Sequence, residues 1–226
     1  VLSEDEAFAI CNRILELSTA DEVRVRIEHD AIGVTRVNRT QAFASQDRET
    51  VRLMLSFTFG ETSAGAGITV NQLDDETLRI IVPYLEAIAK EQIRPVANVF
   101  KGMYNAPTRP LPPVQLWHDT TVDALAEIRT QPLIEMMEAA QRAGLTTAVF
   151  IGAIARAACV VTSRGQRSYT QQTDAEVAVT CWASDGRASG WGGSAAREWN
   201  ALDPHAAMHD AIDIAKRSAN AEAIEP

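Results

Sequence analysis

Two histidines stand four residues apart in the run His205-Ala206-Ala207-Met208-His209. On a helix that interval puts both rings on one face, near enough to share a zinc ion. The peptidase form of the pattern also carries a Glu directly after the first His, as general base. Here that position is Ala206, and the sequence fixes no third ligand. The pair reads better as the solvated face of an amphipathic helix with the apolar stripe Ala207, Ala211, Ile214 and Ala215. The run Gly190-Trp191-Gly192-Gly193-Ser194 has the look of a phosphate loop. Such a loop needs a strand before it and a helix N-terminus straight after, with a Lys or paired-glycine pattern. These glycines sit in or beside a returning strand, where glycine marks a bulge or the close approach of another backbone.

Nucleophilic chemistry has no better footing. No Gly-x-Ser-x-Gly elbow is present, and Ser189 and Ser194 have no His in a local pattern. Cys159 and Cys181 fall on strands and read as buried, inert thiols. Asp74, Asp75 and Asp203 are placed to cap helices. Trp182, Trp191 and Trp199 suit a peptide-contacting surface or, with more weight, core packing. No catalytic, cofactor-binding or metal-ligating residue is therefore assigned. The chain reads as a scaffold whose reactive partner lies elsewhere.

Composition narrows the partners. The chain has 226 residues and a net charge of −9, without the basic face that a nucleic-acid binder needs. No run approaches the roughly 18–20 apolar residues that span a bilayer, and no signal peptide opens the chain. The three cysteines (Cys11, Cys159, Cys181) are far apart in sequence and lie in apolar surroundings. They read as reduced core residues of a cytoplasmic protein, not a disulfide frame.

The elements that must carry these residues are written twice. In the first half, Ser3 and Glu6 form a capping box ahead of a helix with Phe8, Cys11, Ile14 and Leu15 at helical spacing. Strands are expected around Val23–Ile27, at Gly33–Val37, at Ala42–Ser45 and over Val51–Phe59, where apolar and polar residues alternate for nine positions. Gly60–Thr62 turns the chain, Ser63–Val70 returns, and Asp74 or Asp75 caps a helix running toward Lys90, with a kink expected at Pro83. Adding 126 to these numbers meets the same succession. Val23 falls on Val149, Phe43 on Tyr169, Val51 on Val177, Gly60 on Gly186 and Ser63 on Ser189. The register then slips by about three, so that Asp74 corresponds to Asp203, with Pro204 opening a last helix to about Ala221. The second copy's first helix is expected at Leu133–Ala143, entered through Pro132. We read repeat one at about 3–92, a proline-rich connector at 93–128 and repeat two at about 129–221. The fold class expected is α+β, with a largely antiparallel or mixed sheet and helices packed on a face.

The stretches Ala20–Arg26 (ADEVRVR), Ser63–Leu78 (SAGAGITVNQLDDETL) and Ala183–Ala215 (ASDGRASGWGGSAAREWNALDPHAAMHDAIDIA) resemble the N-terminal domain of the TldD/PmbA family, the modulators of DNA gyrase understood as zinc metallopeptidases and their partner subunits. The resemblance covers nearly the whole chain outside the proline connector. It implies a non-catalytic N-terminal domain that helps enclose an unfolded peptide and assemble a homodimer, or a heterodimer with a family paralogue. It places zinc, held by a His-Glu-x-x-x-His helix and a distant Cys, in a C-terminal domain that these residues do not contain. His205 and His209 lack the Glu and have the wrong interval, so no ligand role carries over to them. A free-standing peptide-binding or assembly module is the alternative reading.

Overall fold

The computed structural model describes residues 1–39, 43–92 and 114–219. The elements are α1 (Glu4–Leu17), β1 (Glu22–Val37), β2 (Phe43–Phe59), β3 (Thr62–Val70), α2 (Asp75–Gln92), α3 (Asp119–Val122), α4 (Ala126–Arg142), β4 (Thr146–Thr162), β5 (Arg167–Trp182), β6 (Ser189–Ala196), a 3-10 turn at Trp199–Ala201 and α5 (Pro204–Ser218). The fold is α+β. Its six strands form one sheet in the order β3-β2-β1-β4-β5-β6, with β2–β3 and β5–β6 antiparallel.

Alternation decides which face each strand buries. Val23, Val25 and Ile27 of β1 and Val51, Leu53, Leu55 and Phe57 of β2 all point one way and are buried. They pack with Ala7, Cys11 and Ile14 of α1 and Leu78, Val82 and Leu85 of α2. These residues belong to one compact unit, built from 1–30, 49–115 and 156–171. The second unit takes 31–48, 116–155 and 172–226. Its core joins Leu133, Met136 and Ala140 of α4 to Ile151, Val177 and Val179 of the strands and to Ala207, Ala211 and Ala215 of α5. The long strands β1, β2, β4 and β5 thus each give one end to one unit and the other end to the other.

Several caps are as the sequence implies. Ser3 and Glu6 close a capping box on α1. Asp74 Oδ1 accepts from the Thr77 amide at 2.7 Å, and Asp203 accepts from the Ala206 amide at 2.8 Å. Gly60 and Gly186 turn their hairpins at φ 58° and 72°.

Other expectations need correction. Gly33–Val37 and Ala42–Ser45 are not separate strands. Gly33–Val37 is the end of β1 and Phe43–Ser45 the start of β2, strands of 16 and 17 residues, and Ala42 lies outside the described residues. The polar run Glu28–Asp30 looks like a break, but its partners satisfy it: Asp30 accepts from Arg156 Nε at 2.6 Å, and His29 Nδ1 accepts the Leu2 amide at 3.0 Å. Helix α4 begins at Ala126, not Leu133, and Pro132 lies inside it. An interior proline costs a helix about 3 kcal/mol. The extra helix carries Arg129, one turn earlier, whose side chain is buried. The connector's prolines, Pro95 to Pro113, lie outside the described residues. The rest of that stretch, 114–128, includes α3 and the start of α4 rather than extended chain throughout. The offset of 126 also fails within the second hairpin. Val51 pairs with Val70, but Val177 pairs with Ser194, two residues short of Ala196.

Candidate functional site

The second unit carries a groove of about 490 Å³ over the sheet face opposite its helices. Its lining includes Ile32, Val34 and Arg36 of β1, Gln46 and Arg48 of β2, and Phe150 of β4. Even-numbered residues of β1 and β2 supply most of this lining, because Gly33, Thr35 and Asp47 point the other way; Ser45 also borders the groove, with its hydroxyl 3.0 Å from Thr35 Oγ1. That opposite side is held rigidly. The Arg129 guanidinium is 2% exposed and donates to Thr35 Oγ1 at 3.2 Å, to the Ala124 carbonyl at 2.6 Å and to Asp47 at 2.6 Å. A Cβ at Gly33 would lie 2.1 Å from Arg129 Nη1, so glycine is what lets the guanidinium reach β1. On the groove side, Gly152 leaves room for the Phe150 ring, which lies 3.3 Å from where a Cβ would stand. The floor is thus half-buried and apolar, with two exposed guanidinium groups on it.

The sheet order leaves β3 and β6 at its two edges. Edge strands are usually blunted by Lys or Pro. Neither Thr62–Val70 (TSAGAGITV) nor Ser189–Ala196 (SGWGGSAA) carries any charge or proline. α5 lies directly on β6: a Cβ at Gly192 would stand 1.9 Å from the Ala207 carbonyl oxygen, and one at Gly190 would stand 2.1 Å from that of Ala211. These glycines serve a close backbone approach.

The residues that drew attention in the sequence are dispersed. His205 and His209 are 80% and 83% exposed, with His205 Nε2 3.6 Å from Glu135 and His209 Nδ1 3.9 Å from Asp210. They turn to different carboxylates, and that donor set does not fit a zinc ion. Among the described residues no three His, Cys, Asp or Glu side chains converge on a metal-sized site. The tryptophans do not share one role. Trp199 packs against the second unit's core, Trp182 carries the Arg39 guanidinium 4.9 Å from its ring, and Trp191 is 61% exposed. Core packing is therefore the wrong reading for Trp191.

The cysteines bring the largest surprise. Cys11 and Cys159, 148 residues apart, meet with 3.6 Å between sulfurs inside the first unit. The hydrogen bond from its partner thiol and burial push Cys11 above the usual thiol range. The hydrogen bond it makes with Cys11 holds Cys159 below that range. Burial raises Cys181, whose sulfur lies 3.7 Å from Thr147 Oγ1. The groove itself was not legible beforehand. Splitting β1 at residue 33 hid the alternation Ile32-Val34-Arg36 that marks its floor.

No family model matches the chain, and no curated protein matches it. Solved structures do. The fold is that of proposed modulators of DNA gyrase. One such proposed modulator, from Thermotoga maritima, is 12% identical, with TM-score 0.74 over 92% of this chain and 47% of that one. One from Bacteroides thetaiotaomicron is 14% identical, with TM-score 0.71 over 96% and 51%. TldE from Thermococcus kodakarensis is 14% identical, with TM-score 0.70 over 93% and 47%. The chain spans about half the length of these relatives in fold. Among the described residues no helix is long and apolar enough to cross a membrane.

Proposed function

We propose that this chain is the non-catalytic N-terminal half of a cytoplasmic TldD/PmbA-type peptidase, where it encloses unfolded peptide and assembles the dimer. The observation that carries the reading is the likeness to the solved modulators and TldE, which extends over more than nine-tenths of the chain and only half of theirs. In this reading the zinc and the general base come from a further domain, and this chain binds and orients. Its uncharged edges support that division of labour. An extended peptide adds to such an edge through main-chain hydrogen bonds, which give affinity without demanding a sequence. The two proposed repeats, each helix–three strands–helix, would present one edge each, at β3 and β6.

Amide hydrogen exchange with a saturating unstructured peptide tests the binding role. Protection is expected in Thr62–Val70 or Ser189–Ala196. If no strand gains protection, the chain is not the peptide-adding surface. Sedimentation equilibrium tests assembly, with a dimer expected for the chain joined to its downstream domain. A monomer at tens of micromolar would count against it.

A further inference from the structure

We propose that the groove over β1 and β2 receives an extended acidic peptide segment of the pattern acidic–x–apolar–x–acidic. The inference rests on the peptide-handling reading above and names a sequence class within it. Arg36 and Arg48 are exposed, and among the described residues neither meets a carboxylate. Three other arginines of the sheet, Arg26, Arg52 and Arg156, are engaged, while Arg24, also exposed, lies outside the groove. Arg26 and Arg52 bond Glu28, and Arg52 and Arg156 bond Asp30. An unengaged guanidinium pair beside a half-buried apolar floor is a surface prepared for carboxylates attached to an apolar body.

The spacing sets the pattern. The contact between Thr35 Oγ1 and Ser45 Oγ at 3.0 Å and the Arg52–Glu28 pair at 2.8 Å imply one register, which puts Arg48 beside Ile32 and Arg36 beside Ala44. The two guanidinium groups thus stem from positions four residues apart along the strand direction, about 13 Å at roughly 3.3 Å per residue. In an extended peptide, residues i and i+4 share one face at that same separation, with i+2 between them. Acidic residues at i and i+4 then meet both arginines while an apolar i+2 rests on Val34 and Phe150. The β5 side closes the groove to further acid, because Glu176 Cγ stands 3.6 Å from the Cβ position at Gly152, next to the Phe150 ring. A nucleic acid fits poorly, because two guanidiniums offer little against its regularly spaced phosphates. A lone phosphate would use one arginine and leave the apolar floor wet.

The test is fluorescence anisotropy of fluorescein-labelled Gly-Gly-Glu-Thr-Leu-Thr-Glu-Gly-Gly against its Gln-for-Glu counterpart. The acidic peptide is expected to bind at least tenfold more tightly, with affinity falling as salt rises. In R36Q/R48Q the two peptides should bind alike, and R36K/R48K should restore part of the preference. Both side chains are exposed, so unchanged thermal melting confirms that the variants fold. Equal binding of the two peptides to the wild-type chain, wild-type binding by R36Q/R48Q, or no saturable binding up to about 1 mM acidic peptide would each overturn the proposal. If the neutral peptide still protects β3 or β6 amides in those cases, the peptide-handling reading survives and only the groove assignment falls.

Discussion

Gly192 and Gly193 are adjacent in β6 and face opposite ways, so the same substitution should cost far more at one than at the other. In Gly192→Ala the new methyl would stand 1.9 Å from the Ala207 carbonyl oxygen and 2.9 Å from its carbon, both fixed backbone of α5. Ordinary contact begins at 3.4 Å. The helix must therefore withdraw by about 1.5 Å, and a gap half that size already forfeits much of the dispersion well along its length. The apolar stripe Ala207, Met208, Ala211 and Ala215 is buried and loses that packing. Overpacking against atoms that cannot move costs at the upper end of the usual range, about 3 kcal/mol. For a chain of this size that lowers the melting temperature by about 6–12 °C. In Gly193→Ala the methyl meets Trp191 Cη2 at 2.8 Å, but that indole is 61% exposed and can swing into solvent. The Val177 carbonyl oxygen at 3.2 Å needs only a few tenths of an ångström of adjustment. The change should stay within about 1 kcal/mol, since alanine also relieves the entropic cost of glycine in a strand. Thermal melts followed by circular dichroism measure the difference. Native-state amide exchange locates it, because α5 amides should lose protection in the first variant and keep it in the second. Equal melting temperatures for the two variants would refute the reasoning.

Glu86 is 4% exposed. Burial raises its carboxyl, but donors from the Thr19 hydroxyl, Lys90, the Thr19 amide and the Ser18 hydroxyl overcome that and bring it down to about 2. A depressed carboxyl contributes stability that is present above pH about 4.5 and is lost as pH falls toward 2, on the order of 3 kcal/mol. Urea unfolding of Glu86→Gln from pH 7 to pH 2.5 should show a flatter profile than wild type, and parallel profiles would contradict the assignment. Cys11 and Cys159 should form an intramolecular disulfide with diamide once mild denaturant opens the first unit, a loss of about 2 Da that spares Cys181. Peptide mapping that finds Cys181 in the bridge would reject the packing described. A fragment of residues 1–92 should show no cooperative melt, because its core takes Cys159 and Val161 from β4. A sharp transition in that fragment would show the first repeat to be self-sufficient.

The sequence alone determined what short-range physics can set. The Ser3–Glu6 capping box, the Asp203 cap with Pro204 behind it, the alternation of Val51 to Phe59 and the glycine turns each depend on a few neighbouring residues, so their types suffice. The α+β class follows from the same periodicities, while the count of strands did not. Tertiary structure decided whatever depends on partners distant in the chain. Glu28–Asp30 continues β1 because Arg156 and Leu2 arrive to satisfy it. Helix α4 runs through Pro132, and its first turns carry Arg129 to Thr35 and Asp47, contacts no local window contains. Cys11 finds Cys159 across 148 residues, and Arg36 and Arg48 come to share a bare apolar floor only when β1 and β2 pair. A strand's periodicity says that its two faces differ. Which face the helices then cover is settled by packing energy summed over the whole sheet, and no local window of sequence contains that sum.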